Sequence, residues 1–519
     1  MSERLWGIPP TWEWSRIDEL GKVVSGGTPS TKVSEYWEGD IIWFAPSDLT
    51  GYKRKFIERG AKTLTREGLA KSSAKLMPAG SVMFSSRAPV GYTAINTEPA
   101  TTNQGFKSII PHDGLFNEYI YYYLQAAKQI AEQRATGTTF KELSGSAFGA
   151  LPIPIAPICE QHGIVEKIEA LFAEIDKGVE SLKAAKASLD HYRKSLLKAA
   201  FEGRLTADWR ARNPDKLEDP QTLLSRIRKE REAKYQTALA EWKRAVSEWN
   251  NSGQMDRKPF KPKRPKEFPV EFANLQIALS DLPTGWTWSH LGWCSTGPEY
   301  GTAEKSSDHG DVPVIRMGNL QGGTIDWKNL VYTSNKVEIK QYSLNAGDVL
   351  FNRTNSPELV GKSAIYRGCK PALFAGYLVR INQIEEIVMG SYLAYFLNSP
   401  VARAHGKTVK TDGVNQSNIN ATKLLEYPFP YCSIAEQAQI VATLDIRLNA
   451  MKMLEEEIET NLSRIETLRQ SILKQAFSGK LVPQDPSDEP AAALLDRIKA
   501  QRAKKPRKPA PRKHKAAHP

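Results

Sequence analysis

The stretch that decides the fold covers residues 151–205 and reads LPIPIAPICEQHGIVEKIEALFAEIDKGVESLKAAKASLDHYRKSLLKAAFEGRL. A second stretch with the same plan begins 276 residues later, at residue 427, and reads YPFPYCSIAEQAQIVATLDIRLNAMKMLEEEIETNLSRIETLRQSILKQAFSGKL. The matched pairs are Pro152 with Pro428, Glu160 with Glu436, Gln161 with Gln437, Phe201 with Phe477, and Gly203 with Gly479. Because a repeat of this length indicates repeated architecture, we predict two similar halves that carry two similar sites.

The repeat extends through most of the chain. Residues 8–15 (IPPTWEWS) match residues 282–289 (LPTGWTWS), and residues 78–84 (PAGSVMF) match residues 345–351 (NAGDVLF). Between these landmarks the two halves differ strongly. A shared frame with different contents predicts one scaffold that is used twice for two different ligands.

Apolar residues recur every seven positions in both long segments. The rows are Ile168, Ile175, Leu182, Leu189 and Leu196 in the first copy, and Leu444, Met451, Ile458, Ile465 and Ile472 in the second. A parallel row, offset by four residues, runs from Ile164 to Tyr192 in the first copy and from Ile440 to Leu468 in the second. A pattern of this kind over more than four heptads is typical of a coiled coil.

Each of these helices should span about 44 residues, roughly 66 Å at 1.5 Å per residue, and end at Gly203 or Gly479 as its cap. Two such helices in one chain most simply pair with each other. Antiparallel pairing would place the globular segments at opposite ends of a rigid spacer. The alternative is that the helices form only a stabilising hairpin.

Composition limits the class of protein. The chain has 519 residues, is 40% hydrophobic and carries a formal charge of +13, which favours a polyanionic partner such as nucleic acid. It has no long apolar run and no signal-peptide core at its start, so we expect no membrane association. Its cysteines, Cys159, Cys294, Cys369 and Cys432, form no CxxC motif, which indicates neither a disulfide framework nor a zinc site and favours the cytoplasm.

The two globular segments, residues 1–156 and 281–430, mix short β-rich runs with helical runs. We predict strands over 40–44, 81–84 and 106–110 and a helix over 118–131, which together indicate an α+β domain. Their polar loops combine basic and amide side chains, which suit guanine edges, adenine edges and phosphates. The candidate DNA-binding residues are Lys53, Arg54, Lys55, Arg87, Asn103, Gln104, Arg134 and Lys141 in the first segment, and Arg316, Asn319, Asn352, Arg353, Lys410, Asn415 and Gln416 in the second.

Motifs for catalysis are missing or incomplete. The chain contains neither the Asn/Asp-Pro-Pro-aromatic motif of an adenine methyltransferase nor its glycine-rich cofactor loop. Gly361-Lys362-Ser363 and Gly406-Lys407-Thr408 lack the first glycine of a phosphate-binding loop. Pro214-Asp215 with Glu232-Ala233-Lys234 superficially matches a nuclease pattern, but Glu232 and Lys234 fall in a predicted helix instead of a strand. His162 and His191 have no partner at metal-ligand spacing.

Taken together, the chain resembles the specificity subunit of a type I restriction–modification system. The resemblance rests on the Trp-x-Trp openings of both halves, the Pro-x-Pro…Glu-Gln entries into the long helices and the Phe-x-Gly-[Arg/Lys]-Leu exits. Residues 203–210 (GRLTADWR) and 413–419 (GVNQSNI) are also similar to that family. It implies an α+β fold in which two similar target-recognition domains are joined by an antiparallel coiled coil with an internal pseudo-two-fold repeat.

The resemblance also implies a division of the chain. The predicted parts are target-recognition domain 1 (1–156), helix 1 (157–205), a helical and basic Pro-rich insert (206–280), target-recognition domain 2 (281–430), helix 2 (431–481) and a basic Pro-rich tail (482–519). The insert and the tail depart from a minimal member of the family. The basic tract within the insert is either an extra DNA contact or a plain linker.

The same resemblance implies the partners. The chain would bind duplex DNA through two half-sites and dock two methyltransferase subunits, to which restriction subunits attach. It would bind no cofactor or metal itself, with S-adenosylmethionine in the methyltransferase and ATP and Mg in the restriction subunit. The competing interpretation is a coiled-coil scaffold that displays two protein-binding heads. A fused nuclease or methylase is a third class, which the missing motifs disfavour.

Overall fold

The computed structural model describes residues 5–87, 89–137, 141–252, 258–269, 271–272, 275–414 and 416–504. The chain divides into two compact units. Unit 1 contains Met1–Lys183 and Glu459–Pro519, and unit 2 contains Ala184–Ile458. Each unit therefore holds one globular head and part of each long helix. Within the described residues, no helix combines the length and the apolar character that crossing a membrane requires.

Unit 1 contains a mixed α+β head. Its strands are β1 (Glu13–Arg16), β2 (Gly21–Ser25), β3 (Trp37–Phe44), β4 (Phe56–Ile57), β5 (Lys62–Leu64), β6 (Val82–Ser85), β7 (Thr93–Asn96), β8 (Ala100–Thr102), β9 (Phe106–Pro111) and β10 (Pro152–Ile155). Its helices are α1 (Ile17–Leu20), α2 (Arg66–Ala70), α3 (Asn117–Ala126), α4 (Lys128–Arg134) and α5 (Gly145–Gly149), followed by the long α6 (Ile158–Phe201) that continues into unit 2. The expected helix over 118–131 is interrupted at Ala127, so it forms the two helices α3 and α4.

The strands of unit 1 form two main sheets. One has the order β2-β9-β6-β7-β4 and the other has the order β5-β3-β8. β1 pairs with β10, whose alternating prolines leave the amides of Ile153 and Ile155 for the ladder. A large core joins the first sheet to α3, to the start of α6 and to the end of the second long helix.

Unit 2 repeats this architecture with insertions. Its strands are β11 (Thr287–His290), β12 (Ser295–Tyr300), β13 (Val312–Ile315), β14 (Leu320–Gln321), β15 (Thr324–Ile325), β16 (Val331–Thr333), β17 (Val349–Asn352), β18 (Thr354–Asn355), β19 (Ser363–Ile365), β20 (Leu373–Phe374), β21 (Leu378–Gln383), β22 (Thr411–Asp412), β23 (Ser417–Asn418) and β24 (Pro428–Tyr431). Its helices are α7 (Ala207–Arg212), α8 (Pro220–Asn251), α9 (Lys336–Tyr342), α10 (Gly390–Leu397), α11 (Pro400–Val409) and α12 (Ala421–Leu425). The long α13 (Ile434–Phe477) begins in unit 2 and ends in unit 1, where α14 (Ala491–Lys504) follows.

The sheets of unit 2 correspond to those of unit 1. The order β12-β21-β17-β19 matches β2-β9-β6-β7, and β16-β13-β20 matches β5-β3-β8. In both units the three-stranded sheet has a parallel pair, β3 with β8 and β13 with β20. The small sheet β18-β23-β22 of unit 2 corresponds to the isolated bridges that join Glu142 to Arg87 and to Thr136 in unit 1. The two heads are therefore copies of one α+β scaffold.

The long helices pair in antiparallel fashion within each unit. In unit 1 the guanidinium of Arg469 lies 2.7 Å from the Asp176 carboxylate, and the start of α6 shares a core with the end of α13. In unit 2 Arg193 lies 2.9 Å from Glu455, and the end of α6 packs on the start of α13. Both helices have the expected 44 residues. Gly203 and Gly479 adopt left-handed φ values of 71° and 70°, as a glycine cap requires.

Burial differs between the two heptad rows. The row that contains Ile168 and Leu444 is buried or half-buried along its whole length. The parallel row is buried only near the heads, since Tyr192 is 46% exposed and Leu454 and Leu468 are each 50% exposed. Each long helix buries one of its two heptad rows against the other helix, so most of the second row stays at the surface.

A cluster that we call the clasp joins each head to the end of a long helix. In unit 1, Trp12 donates from Nε1 to the Glu160 carboxylate at 2.8 Å, and Gln484 donates to the same carboxylate at 2.5 Å. Pro9 covers Gly479, where an added Cβ would lie 2.2 Å from the proline Cγ. Gly479 thus caps the long helix and also contacts the head of the same unit through Pro9.

The clasp of unit 2 uses matching residues with one change. Trp286 donates to Glu436 at 2.9 Å, and Pro283 covers Gly203. Arg210 takes the place of Gln484 and pairs with the fully buried Glu436 carboxylate. Thr206 also donates to Glu436, at 2.7 Å.

The insert between the halves is partly built into unit 2. Leu223 and Ile227 of α8 belong to the unit 2 core, and Arg231 donates to the Lys266 carbonyl at 2.6 Å. Residues 258–264 run beside the distal part of α8, where Trp242 donates to the Pro259 carbonyl at 3.0 Å. Glu232 and Lys234 lie on this helix, as expected for a chance match to the nuclease pattern. Arg257, where the basic tract begins, and the tail after residue 504 lie outside the described residues.

Candidate nucleic-acid interface

In unit 1, four loops meet where the strands of the two sheets end. Gly27 N donates to the Thr102 carbonyl at 2.8 Å, which joins the loop after β2 to the loop after β8. Ser86 N donates to the Gly105 carbonyl at 2.7 Å, and Leu143 N donates to the Ser86 carbonyl at 2.9 Å. We call the edge formed by residues 26–30, 85–87, 102–105 and 141–143 the rim of unit 1.

The same hydrogen bonds build the rim of unit 2. Thr302 N donates to the Phe374 carbonyl at 2.9 Å, Arg353 N donates to the Tyr377 carbonyl at 3.1 Å, and Ile419 N donates to the Arg353 carbonyl at 2.9 Å. This rim comprises residues 300–302, 352–355, 374–377, 410–414 and 416–419. The backbone frame of the two rims is therefore shared, although their side chains differ.

Glycines allow the rim loops to approach this closely. A Cβ on Gly26 would lie 1.8 Å from the Asn103 carbonyl oxygen, and a Cβ on Gly301 would lie 2.1 Å from the Phe374 carbonyl oxygen. Sequence reasoning did not single out these glycines or the threonines that follow them. The signal available was the Gly-Gly-Thr-Pro run at residues 26–29 and the Gly-Thr pair at residues 301–302.

Several candidate residues of unit 1 lie together at its rim. Arg87 pairs with Glu142 at 3.8 Å, and the same carboxylate receives Lys107 at 3.2 Å. Gln104 bonds with Thr28, while Asn103 accepts from Gly105 N at 2.8 Å and so closes its own turn. Lys141 is exposed beside Glu142.

The other candidates of unit 1 lie elsewhere. Lys53 and Arg54 are exposed in a turn before β4. Lys55 pairs with Glu118 and with Glu169 of α6, so its charge holds the head against the long helix. Arg134 donates to the Ala150 carbonyl at 3.1 Å within the head.

In unit 2, Arg353 stands at the centre of the rim. Its guanidinium lies 5.0 Å from the centre of the Tyr300 ring and donates to the Gly376 carbonyl at 3.3 Å. Lys410 pairs with Asp412 at 2.5 Å, and Gln416 is exposed. Asn415 lies outside the described residues.

Three candidates of unit 2 have structural partners or are buried. Arg316 donates to the Asn329 carbonyl at 2.8 Å. Asn319 is buried and donates to the carbonyls of Asp326 and Lys328, so its amide closes a turn. Asn352 is fully buried, and neither polar atom of its side chain has a partner among the described residues. Neither amide is at the rim surface.

The histidines and cysteines show no catalytic or metal-binding grouping within the described residues. The His162 ring stacks on Phe116 at 4.0 Å. Burial lowers the pKa of His405 to about 4, so this histidine is neutral at physiological pH. Burial raises the pKa of the Cys294 thiol to about 12, which makes it unreactive.

Comparison with known proteins matches both halves of the chain to one family. The family model of the type I restriction modification DNA specificity domain matches residues 9–183 and 295–464. The EcoKI specificity subunit of Escherichia coli K12 is 24% identical over 471 residues, which cover 86% of each chain. The MjaIX specificity subunit of Methanocaldococcus jannaschii is 38% identical over 196 residues, which cover 37% of this chain and 44% of that protein.

Solved structures share the fold. A chain solved in a study of the assembly and conformational transition of the type I R-M system has a TM-score of 0.61 at 18% identity, and covers 92% of this chain and 100% of its own. The HsdS subunit of Thermoanaerobacter tengcongensis has a TM-score of 0.50 at 17% identity with the same coverage. The chain therefore belongs to the type I restriction modification DNA specificity family, as a non-catalytic specificity subunit with two target-recognition domains.

Proposed function

We propose that each rim reads one half of a bipartite duplex DNA target. The observation that carries this proposal is the pair of rims, which share their backbone hydrogen bonds and differ in their side chains. A shared frame fixes how each head meets the duplex. Different side chains on that frame give the two heads different sequence preferences.

The chemistry of the rim side chains supports base contacts. Arginine suits the O6 and N7 atoms of guanine, and glutamine suits the N6 and N7 atoms of adenine. Arg87 and Gln104 are the first candidates for such contacts in unit 1, and Arg353 and Gln416 in unit 2. Arg353 is braced on Tyr300, so its position is fixed before DNA binds.

The long helices are the proposed docking sites for two methyltransferase subunits, through which restriction subunits attach. Large apolar side chains stand at the surface of α13, with Ile446 72% exposed and Met453 71% exposed. Exposed apolar residues that lie close together on one helix are typical of protein interfaces. Both helices belong to the internal repeat, so each is proposed to dock one subunit, although α6 carries Ala170 and Lys177 where α13 carries Ile446 and Met453.

The proposed complex operates in the cytoplasm and places its cofactors in the other subunits. S-adenosylmethionine would bind the methyltransferase, and ATP with Mg would bind the restriction subunit. The four cysteines are free thiols, two of them buried, which is compatible with a reducing compartment.

An exchange of heads tests the proposal. Residues 1–156 are replaced by the corresponding head of a related subunit, and the methylated sequence is mapped in cells that also carry the methyltransferase. We expect one half of the methylated sequence to change and the other half to stay the same. The reciprocal exchange of residues 281–430 is the matched control, and it should change only the other half. A change of both halves in either chimera would contradict independent reading.

A further inference from the structure

The most informative feature beyond the rims is a turn that both heads share. In unit 1, Ser85 N donates to the Tyr92 carbonyl at 2.8 Å, and Gly91 N donates to the Ser85 carbonyl at 3.0 Å. In unit 2, Asn352 N donates to the Lys362 carbonyl at 2.8 Å, and Gly361 N donates to the Asn352 carbonyl at 2.8 Å. Each turn leads directly from the rim.

Both turns contain a Val-Gly pair whose glycine is left-handed. Gly91 has a φ of 106° and Gly361 has a φ of 85°. Around this pair the two heads differ in sequence, since Pro89 directly precedes Val90 whereas Glu358 and Leu359 separate Pro357 from Val360. Both heads thus have the left-handed glycine at the same place in the turn, although the neighbouring residues differ between them.

A cation from the next helical region covers each glycine. A Cβ on Gly91 would lie 2.6 Å from the Cγ atom of Lys128, at the start of α4. A Cβ on Gly361 would lie 3.7 Å from Nη1 of Arg403, on α11. The same place in the two heads is therefore occupied by a basic side chain of a different type.

Among the described residues, these cations have no acidic partner. Arg403 donates to the Val360 carbonyl and to the Asn398 side chain, both at 3.2 Å, so three of its five N–H donors have no partner among those residues. Lys362 donates to the Gln321 side chain at 3.1 Å. Within the described part of the chain, no carboxylate forms an ion pair with Lys128, Lys362 or Arg403.

The surroundings in unit 2 form a small basic pocket. It lies between the Val-Gly turn and α11, and its lining includes Arg403, Lys407, Lys410 and Glu358 beside apolar side chains. Burial lowers the pKa of Arg403, and burial together with the Arg403 charge lowers the pKa of Lys362. The charges of Arg403 and Lys362 repel each other, and a bound anion would remove that cost.

We propose that Lys128 in unit 1 and Arg403 with Lys362 in unit 2 each hold a backbone phosphate of the DNA duplex beside the Val-Gly turn. The inference rests on the proposed function. It adds which residues contact the DNA independently of its base sequence. Phosphate contacts fix the register of a protein on DNA, whereas base contacts provide specificity. A cation kept at one place in two heads with different rims fits the first role.

Salt dependence of DNA binding tests the assignment. The full chain binds a fluorescent duplex that carries its mapped target, and Kd is measured between 50 and 200 mM NaCl. Each lost phosphate contact should reduce the slope of log Kd against log salt by about 0.9. We expect this reduction for Lys128→Gln and for Lys362→Gln, with an unchanged ratio of Kd between target and unrelated duplex. Arg403→Lys should keep the slope because it keeps the charge.

The matched control is Lys229→Gln, which removes an exposed charge of α8 and should leave the slope unchanged. Equal slopes in Lys128→Gln, Lys362→Gln and the native chain would overturn the inference. An equal decrease in the control would also overturn it, as would a loss of preference for the target. A native chain whose binding ignores salt would instead refute the proposed function itself. Melting temperatures identify any variant that is unfolded, and Lys128 and Lys362 provide independent tests.

Discussion

In unit 1 the Glu160 carboxylate is held by Trp12 and Gln484, whereas in unit 2 the matching Glu436 is held by Trp286, Thr206 and Arg210. The two clasps have the same shape and the same indole donor. One contains a neutral amide where the other contains a guanidinium. Burial raises the pKa of Glu160, with the Trp12 and Gln484 hydrogen bonds opposing that rise.

This comparison separates the residues that give both clasps the same shape from the residue whose charge differs between them. The repeated frame depends on the proline, the tryptophan, the glutamate and the capping glycine, which both units have. The charge of the remaining member is free to differ, because Gln484 and Arg210 both reach the carboxylate and the glycine carbonyl. The two units should therefore respond differently when the glutamate is changed.

The largest expected effect is at Glu436. Glu436→Gln would leave the largely buried Arg210 without its counter-charge, which costs about 3–5 kcal/mol in the free energy of unfolding. Glu160→Gln keeps an acceptor for Trp12 and has no buried cation to strand, so we expect a loss of about 1 kcal/mol or less. Urea unfolding followed by tryptophan fluorescence measures both losses.

A matched variant sharpens this test. Adding Arg210→Gln to Glu436→Gln creates in unit 2 a neutral arrangement like that of unit 1, and it should recover part of the loss. If the two single variants lose equal stability, charge is not what distinguishes the clasps.

Much of this frame was predictable from the sequence, because the features concerned are local. Heptad spacing gave both long helices, and the glycines after Phe201 and Phe477 gave their ends. The clasp was not predictable in the same way. It joins Trp12 to Glu160 and Gln484, and no periodic pattern relates residues so far apart.

The rims show the same limit. Loop composition suggested basic and amide residues, but it could not show that Asn319 and Asn352 are buried or that Lys55 pairs with the long helix. Burial depends on which loops meet, and the loops of each rim come from four separate stretches of chain. Whether the remaining candidates touch bases stays a prediction.

A second comparison concerns the rims themselves. Arg87→Ala should weaken binding through the half-site read by unit 1, and Arg353→Ala through the half-site read by unit 2. A good arginine contact to guanine contributes about 1–3 kcal/mol of discrimination, so each variant should relax preference at one position. Selection of bound duplexes from a random pool measures this. Relaxed preference in both halves from one substitution would mean that the rims are not independent.

A third prediction concerns how the stability of unit 2 depends on pH. His405 is buried in unit 2 with a pKa of about 4, well below its ordinary value. Because the unfolded chain binds a proton below about pH 6.5 and the folded chain does not, stability falls as pH drops from 6.5 towards 4. Between pH 7.5 and 5.5 unit 2 should lose roughly 1 kcal/mol from this residue.

The check is urea unfolding at both pH values for the native chain and for His405→Gln. Between pH 7.5 and 5.5, His405→Gln should lose less free energy of unfolding than the native chain, by the roughly 1 kcal/mol that His405 contributes. An identical pH dependence would show that His405 does not carry the effect.

The smallest expected effect concerns the distal part of the insert in unit 2, where α8 contacts residues 258–264. Lys261 lies 5.7 Å from the centre of the Trp242 ring, which also donates to the Pro259 carbonyl. Trp242→Leu should cost about 0.5–1 kcal/mol of stability and leave the methylated sequence unchanged. Protease cleavage after Lys258 or Lys261 would report release of this segment. A changed methylated sequence would instead make the insert part of DNA recognition.

The division of unit 1 into two distant stretches has a consequence for synthesis on the ribosome. Phe477 packs edge-on against Tyr119 and Tyr123, and Ala491 N donates to the Thr11 carbonyl at 3.0 Å. The first head therefore leaves the ribosome first, but its core is complete only after residues 459–504 have been synthesised. Unit 2, in contrast, is a single contiguous stretch. A nascent chain would complete its second head before its first. Ribosomes that stop early would release a protein with one finished head, and that head would be the second.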